Sequence, residues 1–451
     1  MLRRKMMGDL LEWKGREGHK SLLLKGQHHI GKTSILKEFG KTYRSCIYFD
    51  LSIDRGLCEQ FRRSVDVDSF VRYVTAKGPE YTPIAGETLI ILDEIQSCPR
   101  ARMSLKQFTI DGRFDVVASG SLIDVPSKEF ENPTALIPAG YVEHRTMYGM
   151  DFEEYLWAMG YHEDVISEIR RCIRDKQPMG GSVASAYLDR FDEYLTVGGM
   201  PEAVRSFAEK KDYNEVAKIQ SDIIDSFYSD VSKYSNGSDA MKIRKCFQSV
   251  PTQLSDTNKK FMWSRLDGSG SRNGQRTYAD PMLWMENSGM ANMCHMLRSV
   301  SFPSAMNADP SNFKVYLSDT GLLVNMLGSG ARTAIIEKDD RFNQGTLMEN
   351  AVAECITKSG RKPCYYINRK NPGRMEIDFV LDLGMDVAAI EVKSGKDREA
   401  ASLNKTVDDP RFQRSIMLER SDISVDPKGI EHYPLFAAAF LDEMIEVSRS
   451  S

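Results

Sequence analysis

A glycine-rich loop near the N-terminus carries the residue types that bind phosphate groups. From Gly26 to Thr33 the chain reads GQHHIGKT, which fits the pattern GxxxxGK[ST]. In this pattern, backbone amides enclose the phosphates, the lysine reaches the β- and γ-phosphates, and the hydroxyl ligates Mg²⁺. We therefore predict ATP with Mg²⁺ as the ligand; the alternative is an incidental glycine-rich loop. The predicted contact residues are Gly26, Gln27, His28, His29, Ile30, Gly31, Lys32, Thr33 and Ser34.

Polar residues follow two later apolar runs. Residues 88–92 lead into Asp93 and Glu94, and residues 114–118 lead into Ser119. We expect Asp93 to hold Mg²⁺ through water, Glu94 to activate the attacking water, and Ser119 to lie between Asp93 and the γ-phosphate. The alternatives are a solvated strand end for the two acids and an ordinary turn for the serine. The predicted catalytic residues are Lys32, Glu94 and Ser119.

The adjacent His28 and His29 also raise the question of a metal site. Neither histidine has a second ligand at a suitable spacing, so we expect them to face solvent or phosphate in the loop.

A second set of charged residues lies near the C-terminus. Asp378 opens one predicted strand, whereas Glu391 and Lys393 are two residues apart on the next and share a face. Restriction-type nucleases use such a D…ExK arrangement, in which the acids bind Mg²⁺ and the lysine steadies the water or the developing phosphorane charge. Glu349, on the preceding predicted helix, would complete the metal site. We call Glu349, Asp378, Glu391 and Lys393 the carboxylate cluster.

The elements that must position these residues are predicted from apolar patterning. Short apolar runs without alternation are typical of buried parallel strands, and three- or four-residue spacing is typical of helices. Strands are predicted at 21–25, 46–51, 88–92, 114–118, 364–367, 377–381, 387–392 and 415–418, helices at 186–194 and 213–231, and a hairpin around Gly268, Gly270 and Gly274. The fold class is therefore α/β.

Bulk composition excludes several classes of protein. The 451 residues contain 41% hydrophobic and 27% charged residues with a net charge of -4, which gives no overall drive towards nucleic acid or anionic membrane. The eight cysteines are dispersed and contain no CxxC pair, which favours reduced thiols. No signal peptide and no apolar run of about 20 residues is present. We predict a cytoplasmic protein without membrane partners.

Several segments resemble a prokaryotic family of AAA+ ATPases whose members carry a C-terminal restriction-endonuclease-like domain. They read LLLKGQHHIGKTSILKEF, LIILDEIQ, ASGS, MYGMDFEEYLW, YLTVGGMPEA, FKVYLSDTGLL, EIDFVL and IEVKSG. The resemblance covers nearly the whole chain and implies four parts. These are an AAA+ P-loop ATPase domain (1–160), a helical linker (161–238), a winged-helix-like domain (239–335) and a restriction-endonuclease-like domain of the PD-(D/E)XK type (336–451).

Two departures from the family pattern bear on the site. Family loops often carry two arginines where this chain has His28 and His29, and many members have an arginine where this chain has Tyr141. An arginine finger is therefore not assigned, and Arg145 is only a weak candidate.

A basic stretch lies in the middle of the chain. Residues 241–276 contain eight Lys or Arg against two acids, and a winged helix there could lie against the phosphates of double-stranded DNA. The alternative is a solvated basic surface, or one that packs on an acidic neighbour in a homo-oligomer. The basic residues are Lys242, Arg244, Lys245, Lys259, Lys260, Arg265, Arg272 and Arg276, and the acids are Asp256 and Asp267.

Three functions fit these features. The first is an ATPase that couples nucleotide state to engagement of DNA or a partner by the C-terminal half. The second is an ATP- and Mg²⁺-dependent DNA nuclease, since the carboxylate cluster is intact. The third is a slow nucleotide-gated assembly switch without nuclease activity, which the missing arginine near Tyr141 favours.

Overall fold

The computed structural model describes residues 2–121, 140–235, 237–256, 259–267, 274–339, 344–370, 374–395 and 401–446. The chain divides into two units. The first contains Met1–Gly149, Phe227–Ala240 and Asn287–Gly289, and the second contains Met150–Ser226, Met241–Glu286 and Met290–Ser451.

The first unit is built on a parallel sheet. Its strands are β1 (Ser21–Lys25), β2 (Ser45–Asp50), β3 (Thr88–Asp93), β4 (Asp115–Gly120) and β5 (Val142–Thr146). Strands β1 to β4 lie close to the predicted runs. Strand β5 was not predicted, because only its first residue, Val142, is apolar and buried, so it lacks an apolar run.

The strand order brings the predicted phosphate-site residues to one edge. In the described residues the five strands follow the order β2-β3-β4-β1-β5, with β1 between β4 and β5. The register pairs Leu22 with Val117 and Ile91 with Val117, so β1, β3 and β4 run in step. The loops that follow their carboxyl ends therefore meet at the same edge of the sheet.

Helices cover this sheet and are started by local signals. Asp54 and Asp66 cap two helices by accepting hydrogen bonds from the backbone N–H groups of Leu57 and Ser69. Pro99 starts another in the first turn, where its missing N–H costs nothing. The helices are α1 (Met6–Gly15), α2 (Lys32–Gly40), α3 (Arg55–Arg63), α4 (Val67–Lys77) and α5 (Pro99–Asp111), with short 3₁₀ helices at Pro79–Tyr81 and Ile95–Ser97.

Aromatic side chains fill part of the core of the first unit. Phe70 packs against Phe49, Phe61 and Phe108 with ring centroids 5.2–6.2 Å apart. All four rings are buried. Full burial of one phenylalanine contributes about 1.5–3 kcal/mol, so this group holds α3, α4 and α5 to the sheet.

The second unit begins with a run of helices. Asp151 and Glu154 form a capping box at the first of them. The helices are α6 (Phe152–Ala158), α7 (Glu163–Arg174), α8 (Gly181–Val197), α9 (Pro201–Lys210), α10 (Tyr213–Tyr234), α11 (Gly237–Leu254), α12 (Ser264–Asp267) and α13 (Gly274–Asn287). Helices α8 and α10 extend the two predicted ones. Helix α10 starts in the second unit and ends in the first.

A mixed sheet and further helices complete the second unit. Its strands are β6 (Ala291–Leu297), β7 (Ala308–Leu317), β8 (Cys364–Asn368), β9 (Met375–Leu383), β10 (Asp386–Val392), β11 (Arg414–Glu419), β12 (Ser424–Val425) and β13 (Glu431–Pro434). The helices are α14 (Thr320–Leu327), α15 (Ser329–Ile336), α16 (Gly345–Lys358), α17 (Ala401–Val407) and α18 (Leu441–Glu446), with 3₁₀ helices at Ser304–Asn307 and Leu435–Phe440. The described strands follow the order β12-β13-β11-β10-β9-β8-β6-β7.

This sheet crosses the predicted boundary between residues 335 and 336. Strand β6 pairs in parallel with β8 and antiparallel with β7, so the segment predicted as winged-helix-like contributes two strands to the C-terminal sheet. Strands β6 and β7 form an antiparallel hairpin that was not predicted, whereas most of the predicted hairpin lies outside the described residues. Gly274 instead begins α13, and Gly268 and Gly270 lie outside the described residues.

A buried polar network ties the helices of the second unit together. Glu354 accepts hydrogen bonds from Lys358 at 2.6 Å, from Tyr194 at 2.9 Å and from both the N–H and the hydroxyl of Thr320 at 2.7 Å. Asp319 accepts one from the N–H of Gly199 at 2.6 Å. These contacts join α8, α14 and α16 through residues of two of the segments quoted above, YLTVGGMPEA and FKVYLSDTGLL.

Two further observations concern the cysteines and the length of the apolar helices. All eight cysteines lie in described ranges, and none is in a disulfide bond. No helix in the described ranges is both long and apolar enough to span a membrane.

Candidate functional site

The phosphate loop is a tight turn between β1 and α2. Backbone φ is positive at Gly26 (154°), His29 (63°) and Gly31 (90°). A Cβ on Gly26 would lie 2.3 Å from the carbonyl oxygen of Met147 and 2.5 Å from Cδ1 of Ile30. Only glycine fits there, so the loop keeps the close backbone approach that phosphate binding requires.

Lys32 is buried at the start of α2. Its Nζ donates hydrogen bonds to the carbonyl oxygens of Gly26 at 2.9 Å and Gln27 at 2.7 Å. Burial lowers the pKa of Lys32 to about 8, and the negative charges of Glu94 and Asp93 partly oppose this shift. The ammonium group is therefore held inside the loop, where a phosphate oxygen could replace the carbonyl acceptors.

Asp93, at the end of β3, is surrounded by hydrogen-bond donors. Its Oδ2 accepts from Thr33 Oγ1 at 2.6 Å and from the Tyr48 hydroxyl at 2.9 Å. Its Oδ1 accepts from Ser119 Oγ and, at 3.1 Å, from the N–H of Glu94. The structure thus brings the predicted Mg²⁺ residues Thr33 and Asp93 into direct contact and places Ser119 beside them.

Glu94 follows Asp93 in a left-handed conformation. Its φ of 53° is uncommon for a residue other than glycine and places strain next to the predicted site. Burial raises the pKa of the Glu94 carboxyl, although the charge of Lys32 opposes the shift. Gln96 Nε2 donates a hydrogen bond to Glu94 Oε2 and another to Ser121 Oγ at 3.3 Å. Glu94 is therefore held by a neighbour close along the chain.

His28 links the loop to the end of helix α10. Its Nε2 lies 2.5 Å from Ser121 Oγ and 3.4 Å from Asp230 Oδ2. Burial, together with the charge of Lys32, lowers the pKa of His28 to about 3, so the ring is neutral near pH 7. In the described residues no three His, Cys, Asp or Glu side chains are placed to hold a metal ion, which includes His28 and His29.

Sequence reasoning missed three residues of this site. Tyr48 lies on β2, the neighbour of β3, and its position one strand away gave no signal. Gln96 stands in the quoted segment LIILDEIQ, so its polar side chain just after the acidic pair was a usable signal. Asp230 lies far along the sequence from the loop, with residues of both units in between, and no spacing in the sequence relates it to His28.

Arg145 lies on β5 opposite Leu24 of β1. Its Nη1 donates to the His144 carbonyl oxygen at 3.1 Å, and its Nη2 lies 3.6 Å from Glu143 Oε2. Its guanidinium is thus engaged along its own strand, and the position of an arginine finger stays unassigned.

Two cations of the predicted basic stretch form ion pairs within the protein. Lys259 contacts Glu349, and Arg265 contacts Asp256. Lys242, Arg244 and Lys260 also have interaction partners. Arg272 lies outside the described residues. Contact of this stretch with double-stranded DNA, and its alternative of a solvated surface or a homo-oligomer contact, both stay predictions.

The structure also brings the carboxylate cluster together. Asp378 on β9 precedes Phe379, which pairs with Ile390 beside Glu391 on β10. The N–H of Val392 donates to Asp378 Oδ2 at 3.0 Å, and Lys393 Nζ lies 3.0 Å from Glu391 Oε1. Glu349 comes from α16. Lys314, on β7, was not predicted as part of the cluster; it lies 3.8 Å from Glu349 Oε2.

Comparisons with known proteins identify families along the chain. A family described as an AAA domain matches residues 18–156. Two families described as domains of unknown function (DUF8612 and DUF4143) match residues 188–333 and 344–435. No curated protein matches the chain. A restriction-endonuclease-like C-terminal domain therefore stays a prediction.

Two similar solved structures are ATPases by their descriptions. The Walker-type ATPase of Pyrococcus abyssi is 12% identical with a TM-score of 0.43, over 72% of this chain and 96% of that one. The Signal Transduction ATPase with Numerous Domains (STAND) protein with a tetratricopeptide repeat sensor from Pyrococcus horikoshii is 14% identical with a TM-score of 0.28, over 79% and 45%. Residues 18–156 of this chain form an AAA-type P-loop domain.

Proposed function

We propose that the first unit binds ATP with Mg²⁺ and hydrolyses ATP to ADP and phosphate. The observation that carries this proposal is the 2.6 Å hydrogen bond from Thr33 to Asp93. Lys32 directly precedes Thr33 in the chain, and Glu94 directly follows Asp93. The residues fit the nucleotide and the metal, because the space at Gly26 excludes any side chain and the nearby polar groups are a hydroxyl, carboxylates and an ammonium.

The proposed roles follow from the charges at this edge of the sheet. Lys32 and the loop amides hold the β- and γ-phosphates and offset the charge that develops on them during transfer. Mg²⁺, when held by Thr33 and by Asp93 through water, supplies further neutralisation of phosphate charge. Glu94 accepts a proton from the attacking water, and its burial-raised pKa brings this base closer to neutral pH.

The test is to separate nucleotide binding from turnover. We expect Glu94→Gln to bind ATP with unchanged affinity but to lower kcat by about 10²–10⁴-fold, since only the base is removed. Glu87→Gln is the matched control. Glu87 lies directly before β3, the strand that ends at Asp93, and it forms an exposed ion pair with Arg44. Turnover by Glu94→Gln equal to that of the wild type would exclude Glu94 as the base.

We further propose that nucleotide state is coupled to engagement of DNA or a partner by the C-terminal half. Helix α10 supports this, since Gln220 on it donates to the carbonyl oxygens of Thr196 and Val197 at 3.0 Å in the second unit. The same helix carries Asp230 in its last turns, and Asp230 Oδ2 lies 3.4 Å from His28 Nε2 in the phosphate loop. A displacement of the phosphate loop can therefore be transmitted from Asp230 to Gln220 along one continuous helix.

Hydrogen exchange tests this coupling. In Glu94→Gln, which should retain ATP, nucleotide addition should change the exchange of amides in α10 and in the 196–199 segment that Gln220 contacts. Asp230→Asn should abolish the change at 196–199 while leaving ATP bound. An ATP response confined to the first unit in Glu94→Gln would refute the coupling.

A slow nucleotide-gated switch is the second candidate, and Gln96 favours it. Its hydrogen bond to Glu94 holds the proposed base, which would slow turnover without weakening binding. Gln96→Ala should then raise kcat at unchanged ATP affinity. A fall in kcat would instead show that Gln96 positions Glu94 for catalysis.

A further inference from the structure

The carboxylate cluster of the second unit contains more positive charge than its sequence pattern suggested. Its three acids face three lysines, of which only Lys393 belongs to the D…ExK pattern. The other two are Lys259, just before α12, and Lys314, near the end of β7. These lysines therefore supply three positive charges beside the three acids of the cluster.

Lys314 is the innermost of these cations. Its side chain is 2% exposed, and its Nζ lies 3.8 Å from Glu349 Oε2 and 4.0 Å from Glu376 Oε1. The same ammonium lies 5.0 Å from the centre of the Tyr365 ring. These negative neighbours outweigh the burial of Lys314, so its pKa is raised and it stays charged.

Four of the six acid oxygens of the cluster contact protein donors. One Glu349 oxygen contacts Lys259, and the other accepts from the Tyr316 hydroxyl at 3.1 Å. Asp378 accepts from the N–H of Val392, and Glu391 Oε1 faces Lys393. Glu391 Oε2 is buried without a hydrogen-bond partner in the structure.

This donor set does not fit a divalent ion. Mg²⁺ demands near-octahedral oxygen ligands at about 2.0–2.1 Å and favours sites with uncompensated carboxylate charge. In the described residues no group of three acids, histidines or cysteines is placed to hold a metal. A metal would also have to enter beside the buried Lys314 ammonium, whose charge repels it.

We propose that Lys314 is the built-in cation of the carboxylate cluster and that the cluster consequently binds no divalent metal. The second unit then retains a nuclease-like set of residues as a charge-balanced structural core and does not cleave DNA. This proposal does not depend on ATP hydrolysis by the first unit.

The test uses the full chain without nucleotide and Mn²⁺ as the probe. Thermal unfolding and calorimetric titration are measured for the wild type, Asp378→Asn, Lys314→Met and the double variant Lys314→Met/Asp378→Asn. Lys218→Met is the matched control, because Lys218 forms an exposed ion pair with Glu215 at 2.9 Å. Asp378→Asn leaves the phosphate loop unchanged. The difference between its Mn²⁺ response and that of the wild type therefore reports on the carboxylate cluster alone.

We expect the wild type and Asp378→Asn to give the same Mn²⁺ response. Lys314→Met should lower Tm by at least ~5 °C, since it leaves buried acids unpaired, whereas Lys218→Met should shift it little. Mn²⁺ should recover part of that loss in Lys314→Met but not in the double variant. Lys314→Arg, which keeps the charge, should gain no Mn²⁺ response.

Three results would overturn the proposal. The first is an Mn²⁺ response of the wild type that Asp378→Asn removes, and the second is Asp378-dependent DNA cleavage by the wild type. The third is a folded Lys314→Met whose Tm Mn²⁺ does not raise. If Lys314→Met does not fold, the comparison of wild type with Asp378→Asn still decides between the two outcomes.

Discussion

The phosphate loop and the carboxylate cluster use similar residues in opposite ways. Both place a buried lysine close to acidic side chains. In the loop, Lys32 donates to carbonyl oxygens and Asp93 accepts from the neutral hydroxyls of Thr33 and Tyr48. In the cluster, Lys314 and Lys259 face Glu349 directly. Charges held by neutral partners remain available to a ligand, whereas charges paired with each other stabilise the fold.

The largest expected effect tests this contrast through stability. Glu349→Gln should lower the free energy of unfolding by about 3–5 kcal/mol, because it strands two cations beside a neutral amide. Asp93→Asn should cost only about 1 kcal/mol, since its partners are mostly neutral donors. Denaturant unfolding of both variants measures the difference. Equal losses would remove the distinction between the two sites.

The second effect concerns ATP affinity. Lys32→Ala should weaken nucleotide binding at least ~100-fold, since it removes charge-assisted hydrogen bonds to two phosphates. Lys37→Ala is the control, because Lys37 lies on the same helix with its Nζ over the Tyr48 ring at 4.2 Å. Fluorescent-nucleotide titration measures both, and similar losses in the two variants would argue against a specific clamp.

The third effect is a pH dependence of binding. The charged form of Lys32 is lost as pH rises through its pKa of about 8, so ATP affinity should fall up to about tenfold per pH unit above that value. In the unfolded chain Lys32 has its ordinary pKa of 10.5, so between about pH 8 and pH 10.5 the unfolded state binds more protons than the folded state. The free energy of unfolding therefore rises with pH in this range, whereas ATP affinity falls. Titrations from about pH 7 to about pH 10 test binding. Lys32→Arg stays charged and should show a flat profile.

The fourth effect is smaller and addresses a residue that only the structure revealed. Tyr48→Phe removes one of four donors to Asp93 and should raise KM or lower kcat by about fivefold, near 1 kcal/mol. Tyr43→Phe is the control, since Tyr43 donates to Asp115 at 2.7 Å in the same unit. Steady-state ATPase kinetics compare the two. Identical values for Tyr48→Phe and the wild type would leave Tyr48 without a role at the site.

The smallest effect is expected in the basic stretch. Arg265→Gln should leave the salt dependence of any DNA binding unchanged, because Arg265 is paired with Asp256. A free phosphate contact would instead contribute about 0.9 to the slope of log affinity against log salt. Measuring that slope by anisotropy for Arg265→Gln and Arg276→Gln would show whether either residue touches DNA.

The sequence predicted the phosphate loop well because its motif is local. Residues 26–34 are contiguous, and the apolar runs before Asp93 and Ser119 are long enough to indicate strands. Tyr48, Asp230 and Lys314 could not be predicted, because their positions depend on strand order and on helices that return to the site from distant parts of the chain. The two strands of the β6–β7 hairpin were also missed, since residues 239–335 had been interpreted as winged-helix-like with a hairpin around Gly268, Gly270 and Gly274.

Gly26 has a consequence for how this gene can change. A Cβ added at this position would lie 2.3 Å from the carbonyl oxygen of Met147, which is too close for two non-bonded atoms. Every single-base change in a glycine codon is silent, introduces a stop or adds at least a Cβ. No one-step mutation that alters this residue can therefore preserve the loop, and the codon should accept only silent changes in a mutational scan that selects for ATP binding.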